Sequence, residues 1–262
     1  MRQKYLWQTD THLFPWMRYD MLNAIRDAKP HGVFLTGDIS NGPTLIGDLR
    51  FMAKRAGRPI YFVLGNHDYW FSSIEKVHNN LKQLCDEYKN LIWVDRSEVI
   101  ELNEETGLVG CTGFYDGRVG KSNFIKFTFD WFLIKELREL NWKQRFEKFQ
   151  DLADTDTKIV SEKLEKALDM YKAVILLTHF PPFAEANRCD SWLSEEFWAS
   201  YNCNYQLGKS IEKIMAKHKK RQLTVLCGHT HSPMSIHVGR NIICQVGRGS
   251  YNHLTDDQTI YI

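Results

Sequence analysis

The sequence predicts an α/β fold, and two observations support this prediction. Five short runs are rich in apolar and β-prone residues, and four of them lack polar alternation, as expected of strands buried on both faces of a sheet. Helical patterns lie between the early runs, and alternating strands and helices are typical of layered α/β folds. The five runs are Lys4–Thr9, Gly32–Thr36, Ile60–Leu64, Ala173–Leu177 and Leu223–Cys227.

Three helices are predicted between and after the first three strands. Pro43 favours a helix start just after Gly42, because proline suits the first turn, where its missing N–H is not needed. Ser72 or Ser73 is expected to cap the third helix, and Glu75 lies in its first turn, where the helix dipole favours negative charge. The predicted helices are Met17–Lys29, Thr44–Ala56 and Ser72–Tyr88.

The later part of the chain predicts a second sheet and a long helical stretch. Residues 92–111 are expected to form two or three strands, and a hairpin is expected around Gly239 and Arg240. Residues 258–262 are suited to a final strand. Because no repeat or domain linker is visible, we expect a single domain over residues 1–262 with a helical insertion or cap at about 122–171.

Composition restricts the class of protein. The chain is 43% hydrophobic and 25% charged, which is typical of a globular protein and not of a disordered one. A formal net charge of +2 gives no overall electrostatic reason to expect a nucleic-acid or membrane partner. Apolar runs stay well below the roughly 18 residues of a membrane span. Six cysteines without a CxxC pair, and no signal-peptide pattern, lead us to expect free thiols in a cytoplasmic protein.

Each of the five predicted strands is followed by side chains that bind metals. Since ligands bind beyond the carboxyl ends of the strands in open α/β sheets, these side chains are expected to meet in one crevice. Asp10 and His12 lie two positions apart, so an extended backbone would direct both to one face. The side chains concerned are Asp10, His12, Asp38, Asn66, His67, His179, His229 and His231.

The order of these residues resembles the calcineurin-like metallophosphoesterase superfamily. The family pattern is D-x-H, G-D, G-N-H-[DE], a lone H and G-H-x-H, and this chain has DTH, GD, GNHD, THF and GHTH between residues 10 and 231. The resemblance implies a four-layer α-β-β-α sandwich with two central mixed sheets, in agreement with the two predicted groups of strands.

The same resemblance implies a dinuclear metal centre. A mixed set of oxygen and imidazole ligands suits Mn, Fe, Zn, Co or Ni better than Ca. The implied mechanism is attack of a metal-bound hydroxide on phosphorus, with His67 protonating the leaving oxygen or stabilising the transition state. One ion would be bound by Asp10, His12, Asp38 and His231, and the other by Asp38, Asn66, His179 and His229, with Asp38 as the bridge.

The expected substrate is a small phosphodiester or phosphomonoester. Protein phosphatases of the superfamily carry G-D-x-V-D-R-G, whereas residues 37–42 are GDISNG and lack the second Asp and the Arg. A nuclease or a cyclic-nucleotide phosphodiesterase of the same superfamily is the alternative. A non-catalytic scaffold on this fold is disfavoured, because all eight positions of the implied site are present.

The helical stretch and the loop after His179 are less informative. Aromatic and basic residues alternate in the stretch, but residues 121–170 hold as many acidic as basic side chains, which disfavours nucleic-acid binding. We expect amphipathic helices that form a cap beside the metal crevice, with a dimer interface as the alternative. Arg188, on the loop that follows His179, is a candidate for contact with a phosphate oxygen.

Overall fold

A computed structural model describes residues 2–119, 128–187, 195–249 and 258–262, with only the backbone described at 195–198. The described strands form two sheets. The strands are β1 Lys4–Gln8, β2 Gly32–Thr36, β3 Ile60–Val63, β4 Leu91–Trp93, β5 Ile100–Asn103, β6 Thr106–Gly110, β7 Ala173–Leu177, β8 Gln222–Cys227, β9 Met234–Val238, β10 Ile242–Val246 and β11 Gln258–Tyr261. The helices are α1 Met17–Ala28, α2 Gly42–Arg55, α3 Ile74–Glu87, α4 Asp130–Leu133, α5 Lys135–Arg138, α6 Trp142–Met170, α7 Glu195–Asn202 and α8 Tyr205–Lys217.

Both sheets are mixed. The first has the order β11-β1-β2-β3-β4, in which β1 to β4 are parallel and only β11 is antiparallel to its neighbour. The second has the order β5-β6-β7-β8-β10-β9, with a parallel centre and an antiparallel strand at each edge. The hairpin predicted around Gly239 and Arg240 joins β9 to β10. Of the five strands predicted from apolar runs, three are β1, β2 and β3 of the first sheet. The other two are the central strands β7 and β8 of the second sheet.

The sheets face each other between two layers of helices. Side chains of both sheets, including Phe34 and Ile175, form one buried cluster between them. A second cluster joins α1, α2 and α3 to the outer face of the first sheet, and a third joins α6 and α8 to the outer face of the second. The four-layer α-β-β-α sandwich implied by the sequence is thus confirmed.

The helix ends follow the predicted local signals. Ser73 caps α3 by accepting a hydrogen bond of 3.1 Å from the backbone N–H of Lys76. Pro43 lies in the first turn of α2, which begins at Gly42, two residues earlier than predicted. Lys29, predicted as the last residue of α1, instead adopts the left-handed conformation that ends it.

The predicted helical insertion contains α4, α5 and α6. Along α6, Val160 and Leu164 pack with the second sheet, whereas Phe149 packs with the cluster of the first sheet. The long helix is therefore part of the layered core. Whether the shorter helices α4 and α5 act as a cap stays a prediction. None of the helices in the described part of the chain has the length and apolar character that crossing a bilayer requires.

Candidate metal centre

The loops that follow the parallel strands are joined to one another by backbone hydrogen bonds. The N–H groups of Asp10 and His12 donate to the carbonyl oxygens of Gly37 and Asp38 at 3.1 and 2.9 Å. Within the second sheet, the N–H of Gly228 donates to the carbonyl of His179 at 2.9 Å. These bonds join the loops after β1 and β2 in one sheet and the loops after β7 and β8 in the other. The two pairs of loops are joined by the backbone N–H of His229, which donates to Oδ1 of Asp10 at 3.0 Å.

Most of the predicted ligands have an unusual backbone conformation. The φ angles of Asp10, His12, Asp38, His229 and His231 are 48, 39, 49, 69 and 58°, all in the left-handed region. Such a conformation costs a residue with a side chain about 1–2 kcal/mol. The extended backbone assumed for Asp10 and His12 is therefore wrong, although both side chains still reach the crevice. The surrounding loops hold these residues in strained turns, as is typical of functional sites.

Two glycines let the backbone approach the carboxylates closely. A Cβ atom at Gly65 would collide with the side chain and backbone N of Asp38, and one at Gly228 would collide with the side chains of Thr9 and Asp10. These two positions therefore have no room for a side chain, which accounts for glycine in the GNHD and GHTH motifs.

One group of ligand atoms belongs to Asp10, His12 and His231. The Nε2 atom of His231 lies 3.3 Å from Oδ1 of Asp10 and 3.3 Å from Nε2 of His12. One ligand atom from each of the three residues lies within 4.8 Å of the others. Imidazole and carboxylate groups at this spacing are suited to a divalent transition-metal ion.

A second group belongs to Asp38, His179 and His229, whose ligand atoms also lie within 4.8 Å of one another. Nε2 of His179 is 3.4 Å from Oδ1 of Asp38 and 3.2 Å from Oδ1 of Asn66. The other oxygen of Asp38 is 3.9 Å from Nε2 of His12, in the first group. The structure thus brings all seven predicted ligands together, with Asp38 between the two groups.

Contacts behind the ligands orient their rings. Nδ1 of His179 lies 2.9 Å from the carbonyl oxygen of Thr36. A carbonyl oxygen can only accept a hydrogen bond, so Nδ1 is the donor. Nε2 of the same ring therefore faces the centre. Nε2 of His229 likewise donates to Oδ1 of Asn202 at 3.0 Å, which leaves Nδ1 for a metal. Such supporting partners are common around metal-binding histidines and set their tautomer.

The charges of the centre favour a bound cation. Burial opposes ionisation of Asp10, but the hydrogen bond with His231 and the charge of His179 hold its pKa at about 2. Burial lowers the pKa of His12 to about 4 and, together with His179, that of His229 to about 3. These side chains are therefore a carboxylate and two neutral imidazoles, the protonation states in which they bind metals.

The raised pKa of His179 also indicates that the centre favours positive charge. Burial lowers its pKa, but the neighbouring carboxylate of Asp38 outweighs burial and raises it to about 9. The pKa of Asp38 itself is held well below its usual range by His179 and His67, against the effect of burial. Positive charge next to these carboxylates is thus favoured, as it is at a metal site.

His67 lies at the edge of the same cluster. Its backbone N–H donates to Oδ1 of Asp38 at 2.9 Å, and its Nε2 lies 3.7 Å from the other oxygen. Its ring centre is 4.5 Å from that of His12. The side chain is 12% exposed, whereas that of His179 is fully buried. His67 is therefore beside the ligands but faces the open side of the crevice.

Asp68 connects two loops behind the site. Its carboxylate accepts hydrogen bonds of 2.9 Å from the backbone N–H groups of Ser40 and Gly65. Burial and the charge of Asp38 raise its pKa to about 8. Asp68 therefore supports the loops after β2 and β3 from behind the ligands.

Some residues that contact the ligands were not found from the sequence. Asn202 supports His229, and Asp130 accepts a hydrogen bond of 2.9 Å from Nδ2 of Asn66. Asp130 lies in the stretch predicted to form a cap beside the crevice, and no sequence motif distinguishes either residue. Arg188, the predicted phosphate contact, lies outside the described residues.

Comparisons with known proteins identify a matching family and a shared fold. A model of the family described as calcineurin-like phosphoesterase matches residues 4–233. A phosphopantetheinyl hydrolase from Mycobacterium tuberculosis has a similar structure with a TM-score of 0.66 and 14% identity, over 95% of this chain and 90% of that one. A dimetal phosphatase from Danio rerio gives a TM-score of 0.62 and 12% identity, over 99% of this chain and 92% of that one. No curated protein matches the sequence significantly. At these identities the structural matches show a shared fold.

Proposed function

Because the chain belongs to the calcineurin-like phosphoesterase family, and is thus a phosphoric ester hydrolase, we propose that it uses two metal ions to hydrolyse a small phosphodiester or phosphomonoester. The observation that carries the proposal is the position of Asp38. Its two oxygens lie 3.4 Å from Nε2 of His179 and 3.9 Å from Nε2 of His12, in the two groups of ligand atoms. A carboxylate in this position is suited to bridging two cations about 3.5–4 Å apart.

The donor set fits two such ions. In the proposed arrangement Asp38 contributes to both sites. When bound, divalent ions at these positions neutralise phosphoryl charge and make a water nucleophilic at neutral pH. One site consists of Asp10, His12, Asp38 and His231, and the other of Asp38, Asn66, His179 and His229. Mixed oxygen and imidazole donors favour Mn, Fe, Zn, Co or Ni.

His67 is proposed to assist the leaving group. The side chain of a histidine can act as a general acid and donate a proton to a departing alkoxide oxygen. Support comes from its location, since the ring lies beside His12 yet keeps part of its surface open to the crevice. A proton donor must reach the substrate, which a fully buried residue such as His179 cannot do.

The proposed size of the substrate rests on two features. One structural neighbour is named as a phosphopantetheinyl hydrolase, and phosphopantetheine is a small phosphorylated group, while another is named only as a dimetal phosphatase. In the loop after β2, Asn41 and Gly42 stand where protein phosphatases of the superfamily carry the second Asp and the Arg, so this loop offers no charge there. A nuclease or a cyclic-nucleotide phosphodiesterase is the alternative within the same family.

The direct test is hydrolysis of bis-p-nitrophenyl phosphate and p-nitrophenyl phosphate by the Mn-loaded protein. We expect measurable turnover that a chelator abolishes and that added Mn restores. Asp38→Asn should eliminate it, because the amide cannot provide two anionic oxygens. A panel of nucleotides, cyclic nucleotides and short oligonucleotides then separates the proposed substrate from the alternatives. Preference for oligonucleotides would contradict the small-substrate proposal.

A further inference from the structure

The short helix α4 is fixed to the loop that carries Asn66 and His67. The backbone N–H of Phe71 donates to the carbonyl oxygen of Leu133 at 2.8 Å. The backbone N–H of Lys135 donates to the carbonyl oxygen of Ser72 at 2.9 Å. These two bonds flank a parallel bridge between Ser72 and Ile134. The start of the helical segment is therefore tied to the GNHD motif loop by its backbone.

The first residue of α4, Asp130, points its carboxylate at this loop. Only 4% of the residue is exposed. Its Oδ1 atom accepts hydrogen bonds from Nδ2 of Asn66 at 2.9 Å and from Nε1 of Trp70 at 2.6 Å. A buried carboxylate is costly unless hydrogen bonds compensate it, and both of these donors belong to the motif loop.

The bond to Asn66 determines which way its amide faces. Because the nitrogen is held by Asp130, the amide oxygen is directed to the opposite side, where it lies 3.2 Å from Nε2 of His179. That oxygen is the atom proposed to bind a metal. Without the acceptor at Asp130, the amide is free to rotate and to present its nitrogen to the cation.

The bond to Trp70 fixes the surface on which His67 rests. The indole and imidazole rings are stacked, with centres 3.4 Å apart and planes at 25°. An indole whose N–H is held by a buried acceptor cannot turn away from this stack. One carboxylate thus constrains both a proposed ligand and the proposed proton donor.

We propose that Asp130 is a positioning residue that aligns Asn66 for metal binding and, through Trp70, orients the ring of His67. The inference rests on the proposed function of the same centre. It assigns to one residue of the helical segment a specific part in the active site, for which no motif gave a signal. The residue acts through its two hydrogen bonds and does not itself touch metal or substrate.

The test compares Asp130→Leu with Asp130→Asn. The leucine has a similar size but no acceptor, so we expect one of two Mn ions to bind about 10–100-fold more weakly and kcat to fall by a similar factor. The carboxamide oxygen of asparagine can still accept both bonds, so Asp130→Asn should stay within about threefold of the wild type. Mn binding is measured by isothermal titration calorimetry and turnover with bis-p-nitrophenyl phosphate.

A neighbouring substitution provides the control for packing. Trp131 lies on the same helix and is only 1% exposed. It belongs to the hydrophobic cluster on the outer face of the first sheet. Trp131→Leu should lower the melting temperature while Mn affinity stays unchanged. Wild-type Mn affinity in Asp130→Leu would overturn the proposal. So would equal damage by Asp130→Asn, since charge and not hydrogen bonding would then be responsible.

The Trp70 branch is tested separately, and it also serves if Asp130→Leu does not fold. Trp70→Phe keeps a ring against His67 but loses the N–H, so we expect a several-fold lower kcat with unchanged KM and unchanged Mn affinity. Trp70→Leu should lower kcat further. Wild-type kcat in both variants would overturn the assignment. If the wild type hydrolyses no phosphoester, the proposed function fails, while the Mn affinities still decide the role of Asp130.

Discussion

The Nε2 atoms of His12 and His231 lie 3.3 Å apart, although 219 positions separate the two residues in the sequence. Each histidine follows the carboxyl end of a parallel strand, one in each sheet. Two ring nitrogens so close together repel each other unless a proton or a cation lies between them. The contact between the two rings therefore joins the two sheets at the metal centre.

Removing either of these histidines should empty one metal site. For His231→Ala we expect the Mn content to fall from two ions per chain towards one. Activity should fall by more than the 10–100-fold typical of a lost supporting contact, because a ligand itself is missing. Elemental analysis after dialysis measures the content, and His237→Ala, on β9, provides a control. Two tightly bound ions in His231→Ala would remove this residue from the ligand set.

His67→Ala should separate chemistry from metal binding. We expect kcat to fall about 10²–10⁴-fold, the contribution usual for a proton donor. Mn content should stay near two per chain, although His67, His12 and Asp38 have ligand atoms within 4.8 Å of one another. Kinetics and metal analysis on the same preparation check both parts. Loss of an ion together with activity would make His67 a ligand instead.

Asn202→Ala should weaken metal binding without removing a ligand. Its Oδ1 fixes His229, so its loss leaves the ring free to present the wrong nitrogen. We expect about 10–100-fold weaker Mn binding. Asn204→Ala is the matched control, because Asn204 caps α8 through Leu207 and its loss should cost about 1 kcal/mol of stability with unchanged metal affinity. Equal Mn affinity of the two variants would contradict the role of Asn202.

Asp95 should make the stability of the fold depend on pH. Burial and the charge of Asp156 raise its pKa from 3.8 to about 7, so the folded protein favours the protonated form. This stabilising contribution is complete below pH 4 and is lost as the pH rises through 7. The free energy of unfolding is measured with urea on protein from which a chelator has removed metal. Between pH 5 and pH 8, the free energy of unfolding of Asp95→Asn should fall by about 2 kcal/mol less than that of the wild type.

The exposed Asp151→Asn is the control for this pH effect, because it removes a carboxylate from the surface and leaves the buried ones in place. Its unfolding free energy should follow the wild type at both pH values. An unchanged pH dependence in Asp95→Asn would show that Asp95 is ionised in the folded protein at pH 5, contrary to the effect of its burial.

Local sequence patterns were sufficient for the strands and for the motif residues. Each buried strand is a short apolar run, and each proposed ligand directly follows one of them, as Asp38 follows β2 and His179 lies two residues after β7. Since parallel strands end at a common edge, position along the chain was enough to predict that these side chains meet. The four-layer arrangement came from the resemblance to the family and is confirmed by the two mixed sheets.

The backbone conformation of the ligands could not be predicted in the same way. Asp10 and His12 were expected in extended backbone, and both are left-handed. A left-handed turn at a residue with a side chain is unfavourable by itself. It is stabilised here by hydrogen bonds to Gly37 and Asp38, which belong to another strand's loop. The conformational preference of a short segment does not depend on partners so distant in the sequence.

The sequence by itself thus determined the five buried strands, their order and the motif residues that follow them, because each of these depends on residues that are close together in the chain. Only the tertiary structure brought Asn202 to His229 and Asp130 to Asn66, across 27 and 64 positions. An asparagine or an aspartate on a helix has the same local signature whether it faces solvent or a ligand. The physical reason is that packing of the helices against the sheets decides which of these side chains are buried beside the centre.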